Sequence, residues 1–280
     1  MKPITEIVAQ AEKLKPLPHT AAKLAQVVAD EGSTIENVAE IIRYDQALAA
    51  DVLKIANSTF SASNRNIGNV RDAVIRLGSG RILEMIVSKR VMVIMKRPLD
   101  QYGYSESDLW RHSVASALAA ENLGRYIKKQ VSGVSFTAAL LHDIGKLLMV
   151  QVFAEDEMQK VWNTMKEKQV SWAEAEKELF GFTHGDVGAH VANLWNLPEK
   201  IEMAIRNHNN FNTDYDPVTD SVRVANIVAR AIGEGIGYEG MSISIDSDIA
   251  ERLVLTREKF EMLCSDTAHK LEEVLALYES

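Results

Sequence analysis

The stretch that decides how this chain reads runs from residue 136 to residue 148: Phe136-Thr137-Ala138-Ala139-Leu140-Leu141-His142-Asp143-Ile144-Gly145-Lys146-Leu147-Leu148. An imidazole and a carboxylate stand side by side in an otherwise apolar run. Burying them is costly unless each finds a partner. A divalent ion is an efficient partner, because a neutral imidazole nitrogen and a carboxylate oxygen both bind it well. Lys146 lies one helical turn past Asp143, where it can meet an anionic group held at such an ion. The alternative is a hydrogen-bonded His–Asp pair that only shapes the core.

The other histidines bear on that choice. Of seven in the chain, four sit where a helix face can turn them inward. His112 lies within Leu109-Trp110-Arg111-His112-Ser113-Val114, with Asp108 one turn before it on the same face. His184 opens a helix carrying Val187, Val191 and Leu194. His208 falls seven residues, two turns, after Ile201 and shares the apolar face of Ile201, Ala204 and Ile205. His112, His142, His184 and His208 with Asp143 make a first shell for one or two ions. Each has a plainer alternative: His112 as a hydrogen-bonded core histidine, His184 as a surface cap, His208 as a cap on its helix dipole, Lys146 as an exposed lysine. His190 reads as a packing residue, and His19 and His269 as loop and solvent-facing residues.

The 280 residues suffice for one large or two ordinary domains. Apolar residues at 46% and charged residues at 25% fit an ordinary globular protein. A net charge of −8 argues against a broad nucleic-acid surface or a basic membrane anchor. The single cysteine, Cys264, excludes an intramolecular disulfide and any cysteine-based metal motif. The first residues lack the apolar run of a signal peptide, and no stretch approaches the ~20 apolar residues of a membrane span. A reduced, cytoplasmic setting is the default expectation.

Helical periodicity recurs along the whole chain. Helices are expected over 4–15, with Ile4, Ile7, Val8, Ala11 and Leu14 as the stripe; over 20–30, capped by Thr20; from Ser33 or Thr34; from about Asp45 to Asn57-Ser58; over Val70 to Leu77, ended by Gly78; and over Ser79 to Lys96. Asn64 to Asn69 reads as a polar loop. A long helix over about 106–129 precedes the helix of the opening stretch. A charged, solvated helix follows at 155–168, and others at 171–179, 183–195, 198–208 and 217–232, with Thr183 and Asp186 spaced as a capping pair. A glycine-rich turn region spans Gly233 to Gly240. Two last helices cover 247–255 and 256–278, the second with Phe260, Leu263, Leu271 and Leu275 on a stripe that packs on its own domain. The expected fold is all-α, without repeats or low-complexity segments.

Taken in order, these residues resemble an HDOD domain, a relative of the HD and HD-GYP metal-dependent phosphohydrolases. The resemblance rests on Leu17-Pro18, Asp45-Gln46-Ala47-Leu48 with Leu53, Asn57-Ser58, Ile67, Ala73 to Gly78, Trp110-Arg111-His112-Ser113, Ala139 to Lys146, His184 with Gly188, Trp195-Asn196-Leu197-Pro198 and His208. It implies an N-terminal helical bundle packed on an HD-like helical domain. The divisions expected are 1–100, an HD-like metal-site subdomain over 101–232, and a C-terminal helical extension over 233–280. By the family pattern, His112, His142 and Asp143 match the metal residues, while Asn226 takes the place of a later aspartate. His184, His208 and Lys146 match the additions of the HD-GYP relatives, with Asn209 where a second paired histidine would fall. The Gly-Tyr-Pro signature of those relatives is absent.

Two functions follow from the resemblance. One is a module of bacterial signal transduction with a metal-binding HD-like site and little or no turnover, working through a signalling protein partner. Asn57 to Asn69 and the acidic surface suit such a partner, and the chain shows no kinase, receiver or DNA-binding segment. The other is a metal-dependent phosphohydrolase acting on a nucleotide or cyclic dinucleotide, with Asp143 bridging two ions and Lys146 holding phosphate on a phosphorylated small molecule. Neither involves nucleic acid or membrane. A redox-sensing site is a third use. The expected cofactor is one or two divalent or redox-active ions, iron or manganese favoured, with zinc also suited to these ligands.

Overall fold

The structure is a computed structural model describing residues 4–11, 17–58, 67–127, 131–211, 215–240 and 247–279. Leu14, residues 64–66 of the expected polar loop, and residues 59–66 of the segment suited to a partner lie outside them. Among the described residues there is no strand; sixteen α-helices and one 3₁₀ turn carry the fold.

The first helices are α1 (Ile4–Ala11), α2 (His19–Ala29), α3 (Ile35–Arg43), α4 (Gln46–Ser58), α5 (Val70–Leu77) and α6 (Ser79–Met95). Their starts follow local chemistry. Thr34 and Asn37 form a reciprocal capping box on α3. Asn69 caps α5, and Gly78 at φ 81° ends it. Thr20 does not cap α2, as its sequence position suggests. Pro18 precedes that helix, and the Thr20 hydroxyl instead donates to Asp45 Oδ2 at 3.0 Å, tying α2 to the start of α4. His19 is accordingly the first residue of a helix rather than part of a loop.

The second group is α7 (Asp108–Leu123), α8 (Ser135–Leu141), α9 (Lys146–Val152), α10 (Glu155–Lys168), α11 (Trp172–Phe180), α12 (His184–Leu194), α13 (Glu199–Asn207) and α14 (Pro217–Ala231). At its centre α7 packs against α8, α14 and the C-terminal helix α16 (Arg257–Glu279). The helix α15 (Ser247–Leu253) lies just before α16. On α16, Leu263, Leu271 and Leu275 are buried, as their stripe implies.

The opening stretch is not one uniform helix. Between α8 and α9, residues 142–145 form a turn tightened to i→i+3 spacing: Ile144 N–H donates to Leu141 O and Lys146 N–H to Asp143 O. The reason is a close approach. A Cβ on Gly145 would lie 2.0 Å from the His184 carbonyl oxygen and 2.7 Å from the Gly188 nitrogen. With no side chain there, α12 seats directly on the His142–Gly145 turn, which brings His184 beside Asp143.

Candidate metal centre

The five expected residues converge from four places in the chain. His112 comes from the middle of α7, His142 and Asp143 from the tightened turn, His184 from the first turn of α12, and His208 from the end of α13. All five are buried to 1% exposure or less. That burial excludes His184 as a surface cap, whereas His208 does stand at the C-cap of α13 while facing the centre.

In each ring, Nδ1 faces an acceptor, so it carries the proton. His112 Nδ1 donates to Glu234 O at 3.0 Å, His142 Nδ1 to Ala139 O at 2.6 Å, and His208 Nδ1 to Ile205 O at 2.7 Å. His184 Nδ1 donates to the Glu176 carboxylate at 2.7 Å. Each Nε2 is thereby left with its lone pair facing the centre, the tautomer a metal ligand needs.

The four Nε2 atoms fall into two pairs, one on each oxygen of Asp143. His112 and His142 Nε2 are 3.2 Å apart and stand 3.6 and 3.4 Å from Asp143 Oδ2. His184 and His208 Nε2 are 3.3 Å apart and stand 3.3 and 3.6 Å from Asp143 Oδ1. An ion about 2.0–2.1 Å from three ligand atoms holds them about 3.3–3.6 Å apart. Both triangles have that size, and Asp143 Oδ1 has no hydrogen-bond partner of its own. The donor set thus fits two ions that share one carboxylate.

The electrostatics hold two of the rings neutral and charge a third. Burial, aided by His142, pushes His112 down to about 3, and burial pushes His208 down to about 4. Burial also opposes charge on His184, but the Glu176 carboxylate outweighs it and raises the ring to about 9, so an ion binding there displaces a proton from Nε2. Burial works against the Asp143 anion too, yet Lys146 and His142 outweigh it and hold the carboxyl well below the usual range.

Lys146 is fully buried rather than exposed. Its ammonium donates to Asp143 Oδ2 at 2.9 Å, Tyr104 Oη at 3.1 Å and Glu239 Oε1 at 2.6 Å, so its three donors are taken. Asp108 points elsewhere: its Oδ2 accepts the Ser105 N–H at 2.8 Å, bracing the start of α7. Asn226 is buried on α14, with its Oδ1 unpartnered. It lines a cavity of ≈ 430 Å³ with His208, Asn209, Arg230 and Glu239. Among the described residues His190 is half-buried in α12, and His269 is exposed, 3.4 Å from Glu273.

Several supporting residues escaped the sequence reading. Glu176 is wholly buried and accepts from His184 N and Nδ1, Tyr102 Oη and Trp172 Nε1. One signal pointed to it: Trp172, Glu176 and Phe180 share an inward face at i, i+4, i+8 spacing. The glycine-rich turn region supplies both Glu234 O and Glu239. Gly235 permits this at φ 62°, since a Cβ there would come 2.5 Å from His112 Cβ.

An HDOD domain family model matches residues 14–211, well over half of the chain. An uncharacterised protein of Treponema pallidum (strain Nichols) is 23% identical over 242 residues, covering 84% of this chain; the chain spans less than half, 46%, of that relative. A solved candidate signal transduction protein of Marinobacter aquaeolei VT8 superposes with a TM-score of 0.71 at 21% identity, over 98% of this chain and 64% of that one. A solved candidate phosphohydrolase of Shewanella amazonensis SB2B gives 0.56 at 23% identity, over 93% and 97%. At these identities the two structures show a shared helical fold.

Proposed function

The chain belongs to the HDOD family, and from that premise we propose that it is a signal-transduction module whose HD-like site binds metal with little or no turnover. One observation carries the reading: four buried rings, each with Nδ1 tied to an acceptor, aim Nε2 at the two oxygens of Asp143. His112, His142 and Asp143 would hold one ion, and Asp143, His184 and His208 form a position for a second. Iron or manganese suits these ligands, as does zinc. When bound, a divalent ion supplies Lewis-acid chemistry toward an anionic group.

Low turnover rests on three residues. Asn226 and Asn209 are neutral amides where carboxylate or imidazole ligands would strengthen the site. The third is Lys146, whose donors are spent on Asp143, Tyr104 and Glu239, so it would have to give one up to hold phosphate. Output would then pass to a signalling partner protein. The test is elemental analysis of the untagged protein, followed by His142→Ala. Bound ion in the wild type and none in the folded variant is the expected result. A wild type that neither carries nor takes up iron, manganese or zinc would overturn the reading.

The cavity supports a second reading, a phosphohydrolase for a nucleotide or cyclic dinucleotide. It reaches His208 and places Arg230 beside Asn226, and aromatic Trp172 and Phe211 line its wall. If this reading holds, the metal-loaded protein hydrolyses a generic phosphodiester, and Asn226→Asp raises the rate.

A further inference from the structure

The two ligand triangles match in size but differ in what lies against them. Between His112 and His142 the two Nε2 atoms face each other directly at 3.2 Å. Between His184 and His208 stands the Asn209 amide. Its Nδ2 lies 2.9 Å from His184 Nε2 and 2.7 Å from His208 Nε2. Each Nδ1 of that pair already donates its proton elsewhere, so in the neutral rings a metal ligand requires both Nε2 atoms are acceptors, and one NH₂ group reaches the two of them.

The backbone around Asn209 is held in place. Arg223, buried on α14, donates through Nε and Nη2 to Asn207 O at 3.2 and 3.1 Å and through Nη2 to Asn210 O. Asp220 fixes the guanidinium at 2.8 Å and is itself held by Arg252 of α15 at 3.1 Å. Carbonyls on both sides of His208-Asn209 are thus pinned, and the amide can leave the ring pair only by swinging its side chain into the adjoining cavity.

We propose that Asn209 is an internal occupant of the second ion position, so that the wild-type chain holds one ion, at His112, His142 and Asp143. This rests on the metal-binding reading above and deepens it. Asn209 meets the hydrogen-bonding demand that an ion would otherwise meet, and an ion there must first displace both amide bonds. The first pair has no amide on its ring nitrogens; its internal partner is the Lys146 ammonium on Asp143 Oδ2, which leaves both Nε2 atoms open.

The experiment is metal counting on full-length protein after saturation with Mn²⁺ and dialysis, for wild type, Asn209→Ala and Asn209→Asp, together with the electron paramagnetic resonance of bound Mn²⁺. One ion per wild-type chain is expected, with an isolated-ion spectrum. Asn209→Ala frees two ring nitrogens beside Asp143 Oδ1 and Asn209→Asp adds a carboxylate to them, so both should hold two ions with a spin-coupled spectrum. Two ions in the wild type would overturn the proposal; if Asn209→Ala then lost one, Asn209 would be a ligand instead. One ion in all three folded proteins would overturn it as well. No ion in any of them would instead refute the metal-binding reading on which it stands.

Discussion

The helices before residue 96 and those from 108 to 231 each bury an apolar core, yet they bury different polar groups. In the first set, Glu84 and Ser88 are the buried polar residues among those described. In the second, His112, His142, Asp143, Lys146, Glu176, His184, His208, Asp220, Arg223 and Asn226 are all at 5% exposure or less. Apolar burial stabilises each set. Only the second also carries the desolvation cost of many charged and polar groups. A core that is costly in this way has been shaped for something besides folding, and the contrast separates scaffold from site.

The contrast can be broken first at His142. His142→Ala removes a ligand from the first triangle, and the expected outcome is loss of bound ion, by two orders of magnitude or more in affinity, with the helical circular dichroism kept. Unfolding of the variant alongside a metal-free wild type would return the second set to scaffold. The reciprocal test is Ile82→Ala, in the wholly buried face of α6. It should cost about 2–5 kcal/mol in urea unfolding and leave the ion content of folded protein unchanged.

Smaller effects sharpen the line. Glu176→Gln keeps an acceptor of similar shape for the Tyr102 and Trp172 donors but removes the charge from His184. Removing such an outer partner typically weakens metal binding about 10–100-fold. A metal titration at constant pH checks this, and an unchanged affinity would make Glu176 a core residue only. The smallest expected effect lies at Glu84. Burial, then Glu121, pushes its carboxyl up to about 7 from 4.5. The folded chain therefore binds a proton that the unfolded chain releases. That contribution is full below pH 4.5 and is lost as pH rises through 7. Glu84→Gln should flatten the fall, gaining on the order of 1–2 kcal/mol relative to wild type above pH 7 after loss of the Arg81 pair. Parallel unfolding curves at pH 5 and pH 8 decide it.

Much of this was legible from residue order. Periodicity and caps placed most helices to within a few residues, because Thr34, Asn69, Gly78, Ser171, Thr183 and Gly181 act on their own neighbours, whereas the long helix expected over about 106–129 ends at Leu123, before Gly124. The five ring and carboxylate residues stood out because each interrupts an apolar face. What stayed hidden was set by contacts between distant segments. The break at residues 142–145 depends on the His184 carbonyl, some forty residues on. The saturation of Lys146 depends on Tyr104 and Glu239, and the tautomer of His112 on a backbone carbonyl in a glycine-rich turn. A lysine one turn after an aspartate reads alike whether it is exposed, poised for a ligand, or locked.

The glycine seat under α12 has a consequence for how such a chain can change over generations. At Asn209 or Asn226, one amide can be exchanged for another small polar group and the helices keep their places. At Gly145 the smallest heritable step adds a carbon atom 2.0 Å from the His184 carbonyl, and the two halves of the centre must part. Descendants of this chain can therefore drift in their chemistry by single substitutions. They cannot drift in the spacing on which that chemistry depends, and the most constrained position at the centre is one with no side chain.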